Sequence, residues 1–108
     1  MKYALTLLCL VGCSGEATFP RDAAEAGCAH AQVCDEASFT DAFGTLDECS
    51  RREGHLMEDA AASAAELGCT FDKDKAAECL DALATEDCAT FELEQALTRC
   101  GGAFGCVP

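Results

Sequence analysis

The chain has 108 residues, of which 10 are cysteine, and its 20 Asp and Glu residues far outnumber its 7 Lys and Arg residues. That length allows one small domain, and such a cysteine content is typical of exported, disulfide-crosslinked domains rather than of cytosolic enzymes. The net charge of −13 excludes the basic surface with which proteins bind nucleic acid. We therefore expect one exported domain with no nucleic acid partner.

The chain begins like an export signal. A positively charged start is followed by an apolar run over residues 3–11, which is far shorter than the roughly 20 residues that a membrane-spanning helix needs. The run ends in Leu10-Val11-Gly12-Cys13, and this motif resembles the lipobox of bacterial lipoproteins at each of its positions. We therefore predict a cleaved signal and not a permanent transmembrane segment.

The resemblance to bacterial lipoproteins implies how the mature protein begins. It implies that residues 1–12 are a signal peptide and that Cys13 carries a diacylglyceryl thioether and an acylated, for example palmitoylated, amino group. Several acyl chains attach a protein stably to a membrane, whereas a single chain binds only marginally. Ser14 in place of aspartate is similar to the pattern of lipoproteins forwarded to the outer membrane, so the resemblance implies a lipid-anchored protein of the bacterial cell envelope. Over its whole length the chain resembles small cysteine-rich lipoproteins of some Gram-negative bacteria, whose roles are mostly unassigned.

A second interpretation of the N-terminus stays open. Ordinary signal-peptidase cleavage after Gly15-Glu16-Ala17 would leave a soluble protein that starts at Thr18. That protein would be a secreted effector or inhibitor whose disulfides give protease resistance. With the lipid anchor, we expect instead a structural or interaction module with an unknown protein partner. A weakly metal-binding envelope protein is the third hypothesis.

Both cleavage sites leave the same eight cysteines in the mature chain. They are Cys28, Cys34, Cys49, Cys69, Cys79, Cys88, Cys100 and Cys106. Eight cysteines allow four disulfides in roughly a hundred possible connectivities. No two of them have the C-x-x-C spacing of redox, zinc-knuckle or haem motifs. We therefore predict that all eight form disulfides and that the protein has no cofactor.

One short segment contains three potential metal ligands. Cys28, His30 and Cys34 lie within seven residues, and two thiols with an imidazole are ligands that zinc accepts. In an oxidising compartment these thiols are expected in disulfides, so we predict no metal site. The Asp72-Lys73-Asp74 segment begins like a calcium loop but lacks the Gly and the Glu that such a loop requires.

The remaining acidic pairs are expected at helix starts and on solvated faces, where the helix dipole or water favours them. A hydrolase needs a nucleophile, a base and a pocket, and the serine and histidine residues lie in no catalytic motif. We therefore predict that the protein is not an enzyme and has no catalytic residues.

The hydrophobic periodicity is helical throughout, and the predicted fold class is all-α, a small bundle of three to four helices crosslinked by disulfides. The predicted helices run from Arg21 to about Glu36, from Leu46 towards Gly68, from Lys73 to about Ala84 and from Thr90 to Cys100, with a short helical turn over residues 38–43 that Gly44 ends. A tail loop held by Cys106 follows. The domain is predicted to span residues 21–108, behind a tether of residues 13–20 that reaches less than about 30 Å.

The longest predicted helix has the clearest boundaries. Thr45 and Glu48 form a capping box at its start, and Gly68 is placed to end it. Its apolar stripe is predicted to contain Cys49, Leu56, Met57, Ala60, Ala64 and Leu67.

Helix geometry restricts the disulfide pairing. Cys28 and Cys34 lie ~9 Å apart along one helix axis, which is too far for a disulfide between them. We predict instead a bridge between Cys34 and Cys49 across the first interhelix turn. It would close a loop of about 15 residues and contribute roughly 3 kcal/mol.

The composition makes the crosslinks necessary. Counted from Cys13, the 96 residues contain 7 Leu, 2 Val, 6 Phe and no Ile, which is 15 of 96, and loss of Lys2 changes the formal charge from −13 to −14. Chains with less than about 20% of these residues and a high net charge are typically disordered. Disulfides offset this tendency because they restrict the unfolded state. We therefore expect the fold to depend on them.

Overall fold

The computed structural model describes residues 15–106, which form five α-helices and one 3₁₀ helix. The α-helices are α1 (Phe19–Cys34), α2 (Glu36–Phe43), α3 (Leu46–Glu66), α4 (Lys73–Thr85) and α5 (Leu93–Cys100), and the 3₁₀ helix, η1, is Gly101–Phe104. These described residues contain no strand. The all-α prediction is confirmed, whereas the predicted number of three to four helices is too small. The predicted signal peptide and the predicted lipidation site Cys13 lie outside the described residues.

The additional helix is α2, where the sequence predicts only a helical turn. Its N-cap is Asp35, whose carboxylate accepts a hydrogen bond from the Ser38 backbone N–H at 3.1 Å. Helix α1 therefore ends at Cys34, two residues before the predicted Glu36, and Asp35 caps both the end of α1 and the start of α2. Phe39 is the buried anchor of α2, and Gly44 ends the helix at a φ of 81°, as predicted.

The folded part of the chain begins before the predicted domain boundary at Arg21. Phe19 and Pro20 form the first turn of α1 and are buried. Proline is favourable there because its missing N–H would have no partner within the helix. The Phe19 ring is fully buried and meets Phe71 and Phe104 edge-on, with ring centroids 5.7 and 5.8 Å apart. The start of α1 is thereby packed against η1 at the other end of the described chain.

Helix α1 lies at the centre of the fold and packs against α2, α3, α4 and α5. The core around it is small, and its largest fully buried side chains are Phe19, Leu83, Cys28 and Cys49. Buried cysteine packs as a small hydrophobic residue. The disulfides are therefore part of the core as well as crosslinks.

The buried face of α3 differs from the predicted stripe. The predicted positions that are buried are Cys49, Met57 and Ala64, and those that are exposed are Leu56, Ala60 and Leu67. Glu53 and Gly54 are buried as well. The reason is that α3 turns Gly54 towards α1, where a β-carbon on Gly54 would lie 3.9 Å from that of Ala24. The face of α3 with Glu53 and Gly54 is therefore the buried one, and Leu56 and Leu67 are exposed.

Both ends of α3 follow the sequence signals. Thr45 Oγ1 accepts a hydrogen bond from the Glu48 backbone N–H at 3.1 Å, and Gly68 follows the helix with a φ of 79°. The Glu48 carboxylate lies between the guanidinium groups of Arg51 and Arg52, which lower its pKa chiefly through the hydrogen bond with Arg51. The N-cap half of the predicted capping box and the glycine stop are thus confirmed.

Helix α5 begins at Leu93, three residues after the predicted Thr90. The preceding residues form a turn in which the backbone N–H groups of Thr90 and Phe91 donate to the Asp87 carbonyl oxygen. Glu92 then caps α5 by accepting hydrogen bonds from two backbone N–H groups of its first turn. The predicted tail loop is partly the helix η1, which buries a phenylalanine in the core.

Four disulfides connect elements that are distant in sequence. They are Cys28–Cys49, Cys34–Cys88, Cys69–Cys106 and Cys79–Cys100. The predicted Cys34–Cys49 bridge is wrong, because α3 places Cys49 beside the middle of α1, where Cys28 lies with a Cα–Cα distance of 6.0 Å. Cys34 at the end of α1 instead reaches Cys88 in the segment between α4 and α5. As predicted, Cys28 and Cys34 are not bonded to each other.

Gly27 lets α1 approach α5 closely, and its replacement is expected to destabilise the fold. A β-carbon at Gly27 would lie 2.9 Å from Leu93 Cδ1 and 3.4 Å from Leu97 Cδ2. Gly27→Val should therefore lower the free energy of unfolding by about 2 kcal/mol through overpacking. Gly54→Ala is the control, because a β-carbon there would make only an ordinary contact, 3.9 Å from that of Ala24, and alanine favours helix by about 0.5–1 kcal/mol. Urea denaturation measures both variants, and equal effects would contradict the close approach at Gly27.

Candidate functional site

The four disulfides differ in exposure. Cys28–Cys49 is fully buried, and the cysteines of Cys79–Cys100 are only 8% and 5% exposed. Cys34–Cys88 and Cys69–Cys106 each join a half-buried cysteine to an exposed one. The first two bridges therefore belong to the core, whereas a reductant in solution can reach the other two.

An apolar groove of about 290 Å³ lies between α3, α5 and η1. Leu56, Met57, Leu97 and Phe104 form its apolar lining, and Glu53 and Glu94 contribute its two carboxyl groups. We call this the α3–α5 groove. The exposed Leu56, which has no place in the core, is part of this lining. Apolar clefts with a few polar groups are the usual form of a binding site.

Glu53 is the buried charged residue of the described core, with 5% of its surface exposed. It lies on α3 beside Glu94 of α5, and the positive charge of Arg52 acts on it. The pKa of Glu53 is raised from 4.5 to about 7, chiefly by burial and also by the hydrogen bond and the negative charge of Glu94, whereas Arg52 lowers it. Glu53 therefore keeps its proton close to neutral pH, where an exposed glutamate is ionised.

The charge of the carboxyl pair in the α3–α5 groove depends on pH. When Glu53 holds its proton the pair can share a hydrogen bond, and when both groups are ionised they repel each other in a desolvated place. The α3–α5 groove is therefore less charged, and better suited to an apolar partner, below neutral pH than above it. The sequence does contain a signal that Glu53 is buried. It lies four residues from both Cys49 and Met57, which places it on the buried face of the helix.

Glu53 implies a specific dependence of stability on pH. A carboxyl group whose pKa is higher in the folded than in the unfolded state binds its proton more tightly when folded. The free energy of unfolding therefore falls as the pH rises from about 4.5 to about 7. Glu53→Gln removes this loss and should stabilise the protein at pH 8 by on the order of 2–3 kcal/mol, with little effect at pH 4.

Glu66 provides the control for this pH experiment, because Glu66→Gln removes the same charge from an exposed position on the same helix. Urea denaturation at the two pH values measures the free energy of unfolding of both variants. Equal stabilisation by the two substitutions would attribute the effect to net charge and contradict the role of burial at Glu53.

The fold separates the three potential zinc ligands that the sequence places close together. Cys28 is buried in its bond with Cys49. His30 and Cys34 lie one helical turn apart on α1, and the structure brings them together with Cys88. Cys34 and Cys88 are joined in the oxidised protein, so their sulfurs are not thiolates there.

Acidic residues at helix starts act as caps, in line with their predicted positions. The Asp72 carboxylate accepts hydrogen bonds from the backbone N–H groups of Asp74 and Lys75, which accounts for the segment that begins like a calcium loop. The other histidine, His55, is exposed, and its Nδ1 lies 3.9 Å from Oε1 of Glu58.

Compared with models of known families, with curated proteins and with solved structures, the chain matches none of them. Within residues 15–106, no helix combines the length and the apolar character needed to cross a membrane. The fold and its sites therefore define a small all-α domain held by four disulfides, with an apolar groove that contains a carboxyl pair.

Proposed function

We propose that the protein is a lipid-anchored protein of the bacterial envelope, attached to the outer membrane, whose domain acts as a structural or interaction module. The observation that carries this proposal is the Leu10-Val11-Gly12-Cys13 motif, because its cysteine provides the soft thiolate that accepts the lipid. A mature chain with a charge of −14 is repelled by anionic lipids, so attachment depends on the acyl chains. The link from Cys13 to Phe19 reaches at most about 20 Å, which keeps the domain close to the membrane.

The start of α1 supports cleavage before Cys13 over cleavage after Ala17. The Gly15 carbonyl oxygen accepts hydrogen bonds from the backbone N–H groups of Thr18 at 3.2 Å and Phe19 at 2.9 Å. Cleavage after Ala17 would remove this acceptor. It would also leave a positively charged amino group at the N-terminus of α1, where the helix dipole disfavours it. Cleavage before Cys13 retains the turn.

The α3–α5 groove supports the interaction role. It keeps Leu56 58% exposed beside buried apolar residues, and its carboxyl pair provides polar groups that can orient a partner. No residue of α1, through which the anchor is attached, lines the groove, although Phe104 of the lining packs against Phe19 at the start of that helix. A partner that binds in the groove therefore lies close to the anchored end of the domain.

The intact mass of the mature protein tests the anchor. We expect the chain to start at Cys13 with the mass of the diacylglyceryl and acyl groups, and to partition into detergent. Cys13→Ala should abolish both the added mass and the partitioning. An unmodified chain that starts at Thr18 would overturn the anchored function and favour the secreted effector.

Site-specific photocrosslinking in cells tests the interaction role. A photoreactive residue in place of Leu56 lies in the α3–α5 groove, and one in place of Leu67, 77% exposed near the end of α3, lies outside it. We expect a discrete crosslinked species from the Leu56 position alone. The same species from both positions, or none from the groove, would contradict binding at this groove.

A further inference from the structure

The end of α1 and the segment after α4 bring together three side chains that can bind a metal ion. His30 and Cys34 lie one turn apart on α1, and Cys88 lies opposite them. One ring nitrogen of His30 and the two sulfurs lie within 4.8 Å of one another. A tetrahedral zinc ion with Zn–S bonds of about 2.3 Å holds two sulfurs roughly 3.8 Å apart. The three donors therefore need to move by only about 1–2 Å to surround an ion.

A backbone carbonyl fixes the orientation of the His30 ring. Its Nε2 lies 2.6 Å from the Glu86 carbonyl oxygen, which can only accept a hydrogen bond, so Nε2 carries the hydrogen and donates it. The neutral imidazole then keeps its lone pair on Nδ1. The Phe91 ring packs edge-on against the His30 ring, with centroids 4.7 Å apart. A backbone carbonyl that fixes the ring and its tautomer is the usual partner of a metal-binding histidine.

The bridge between the two cysteines is open to reductants and to ions. Cys34 is half-buried at the end of α1 and Cys88 is exposed, in contrast to the two buried bridges. A groove of about 320 Å³ between α1, α2 and the segment before α5 includes Cys34, Cys88 and Phe91 in its lining. This groove provides the entry path that a metal site requires.

We propose that His30, Cys34 and Cys88 form a zinc site when the Cys34–Cys88 disulfide is reduced. A dithiol reductant gives two electrons and two protons to the disulfide, which becomes two thiols while the reductant becomes a disulfide. Zn²⁺ then displaces the two thiol protons, which pass to solvent, and takes Nδ1 of His30 as its third ligand. A water molecule completes the tetrahedron.

The zinc ion replaces the crosslink that reduction removes. The disulfide joins residues that are 54 positions apart in sequence, and zinc bound by both thiolates closes the same loop. The end of α1 stays attached to the segment between α4 and α5 in both redox states. The other accessible bridge, Cys69–Cys106, has no histidine in this arrangement and serves as the internal comparison.

Cobalt and zinc titrations of the partly reduced full chain test the proposal. Dithiothreitol opens the accessible bridges and is then removed without oxygen. One Co²⁺ per chain should bind with a thiolate-to-cobalt charge-transfer band, and Zn²⁺ should displace it. Zinc should also protect Cys34 and Cys88 from alkylation, as mapped by peptide masses. His30→Gln should weaken Co²⁺ binding more than about tenfold, whereas His55→Gln should leave it unchanged.

Two cysteine variants complete the test. Cys69→Ser/Cys106→Ser should retain the cobalt band, and Cys34→Ser/Cys88→Ser should lose it. The same band in the latter variant, equal effects of the two histidine substitutions, or zinc protection of other cysteines would overturn the site. If Cys34→Ser/Cys88→Ser loses its helical circular dichroism, the two histidine variants, which keep every cysteine, decide the question.

Discussion

Complete reduction of the four disulfides is expected to unfold the domain at neutral pH. In excess dithiol with a metal chelator, the helical circular dichroism should fall to that of a disordered chain, and no cooperative melting should remain. The bridges join residues 21 to 54 positions apart, and each contributes about 3–4 kcal/mol by restricting the unfolded chain. Their combined effect is as large as the whole stability of a typical domain.

The remaining core cannot replace these crosslinks. Only 15 of the 96 residues from Cys13 onward are Leu, Val or Phe, and Cys28 and Cys49 are themselves among the largest fully buried side chains. Reduction therefore removes crosslinks from a chain whose charge of −14 already favours expansion.

Two double variants separate crosslinking from packing. Cys28→Ala/Cys49→Ala removes a buried bridge, and Cys69→Ala/Cys106→Ala removes an accessible one. The former should be the more destabilising, because it also leaves a cavity in the core. A native helical spectrum with cooperative melting in excess reductant would show that the fold does not depend on its disulfides.

Phe19→Ala is expected to be the most destabilising single substitution of an aromatic residue, lowering the free energy of unfolding by about 3–5 kcal/mol. Phe19 is fully buried and touches the rings of Phe71 and Phe104. Its removal opens a cavity at the point where the start of α1 meets η1. The surrounding residues are tied by disulfides and can collapse only partly into that space.

Phe43 provides the control for the Phe19 substitution. Its ring is half-buried on α2, where it packs against Phe39 and lies 4.9 Å from the Arg52 guanidinium carbon. Phe43→Ala should cost about 1–2 kcal/mol, since the ring already contacts water. Urea denaturation with the disulfides intact measures both variants. A loss at Phe19 no larger than at Phe43 would contradict the central place of Phe19 in the core.

Local sequence signals predict the helices well because each depends on a few neighbouring residues. Thr45 caps α3 and Gly44 and Gly68 end helices, since a side-chain oxygen or a positive φ acts within one turn. The α2 helix shows the limit of these signals. Its eight residues have little helical preference of their own, and the Asp35 cap together with burial of Phe39 makes them a helix.

The sequence predicts where a helix begins and ends better than it predicts which face of the helix is buried. On α5 the apolar and small residues at helical spacing, Leu93, Ala96, Leu97 and Cys100, are all buried. On α3 the face that contains Gly54 lies against Ala24 of α1, so Leu56 is exposed and Glu53 is buried. Which face of α3 is buried is set by its packing against α1 and not by its leucines alone.

By itself, the sequence determined the all-α class and the use of eight cysteines as crosslinks, and it predicts that the fold needs those crosslinks. These properties follow from composition and from contacts within a few residues. The tertiary structure alone decided the disulfide pairing, the burial of Glu53 beside Glu94, and the meeting of His30 with Cys88. Each of these joins residues that lie far apart in sequence. Their proximity depends on how the helices and the segments between them pack together, and no local sequence pattern contains that information.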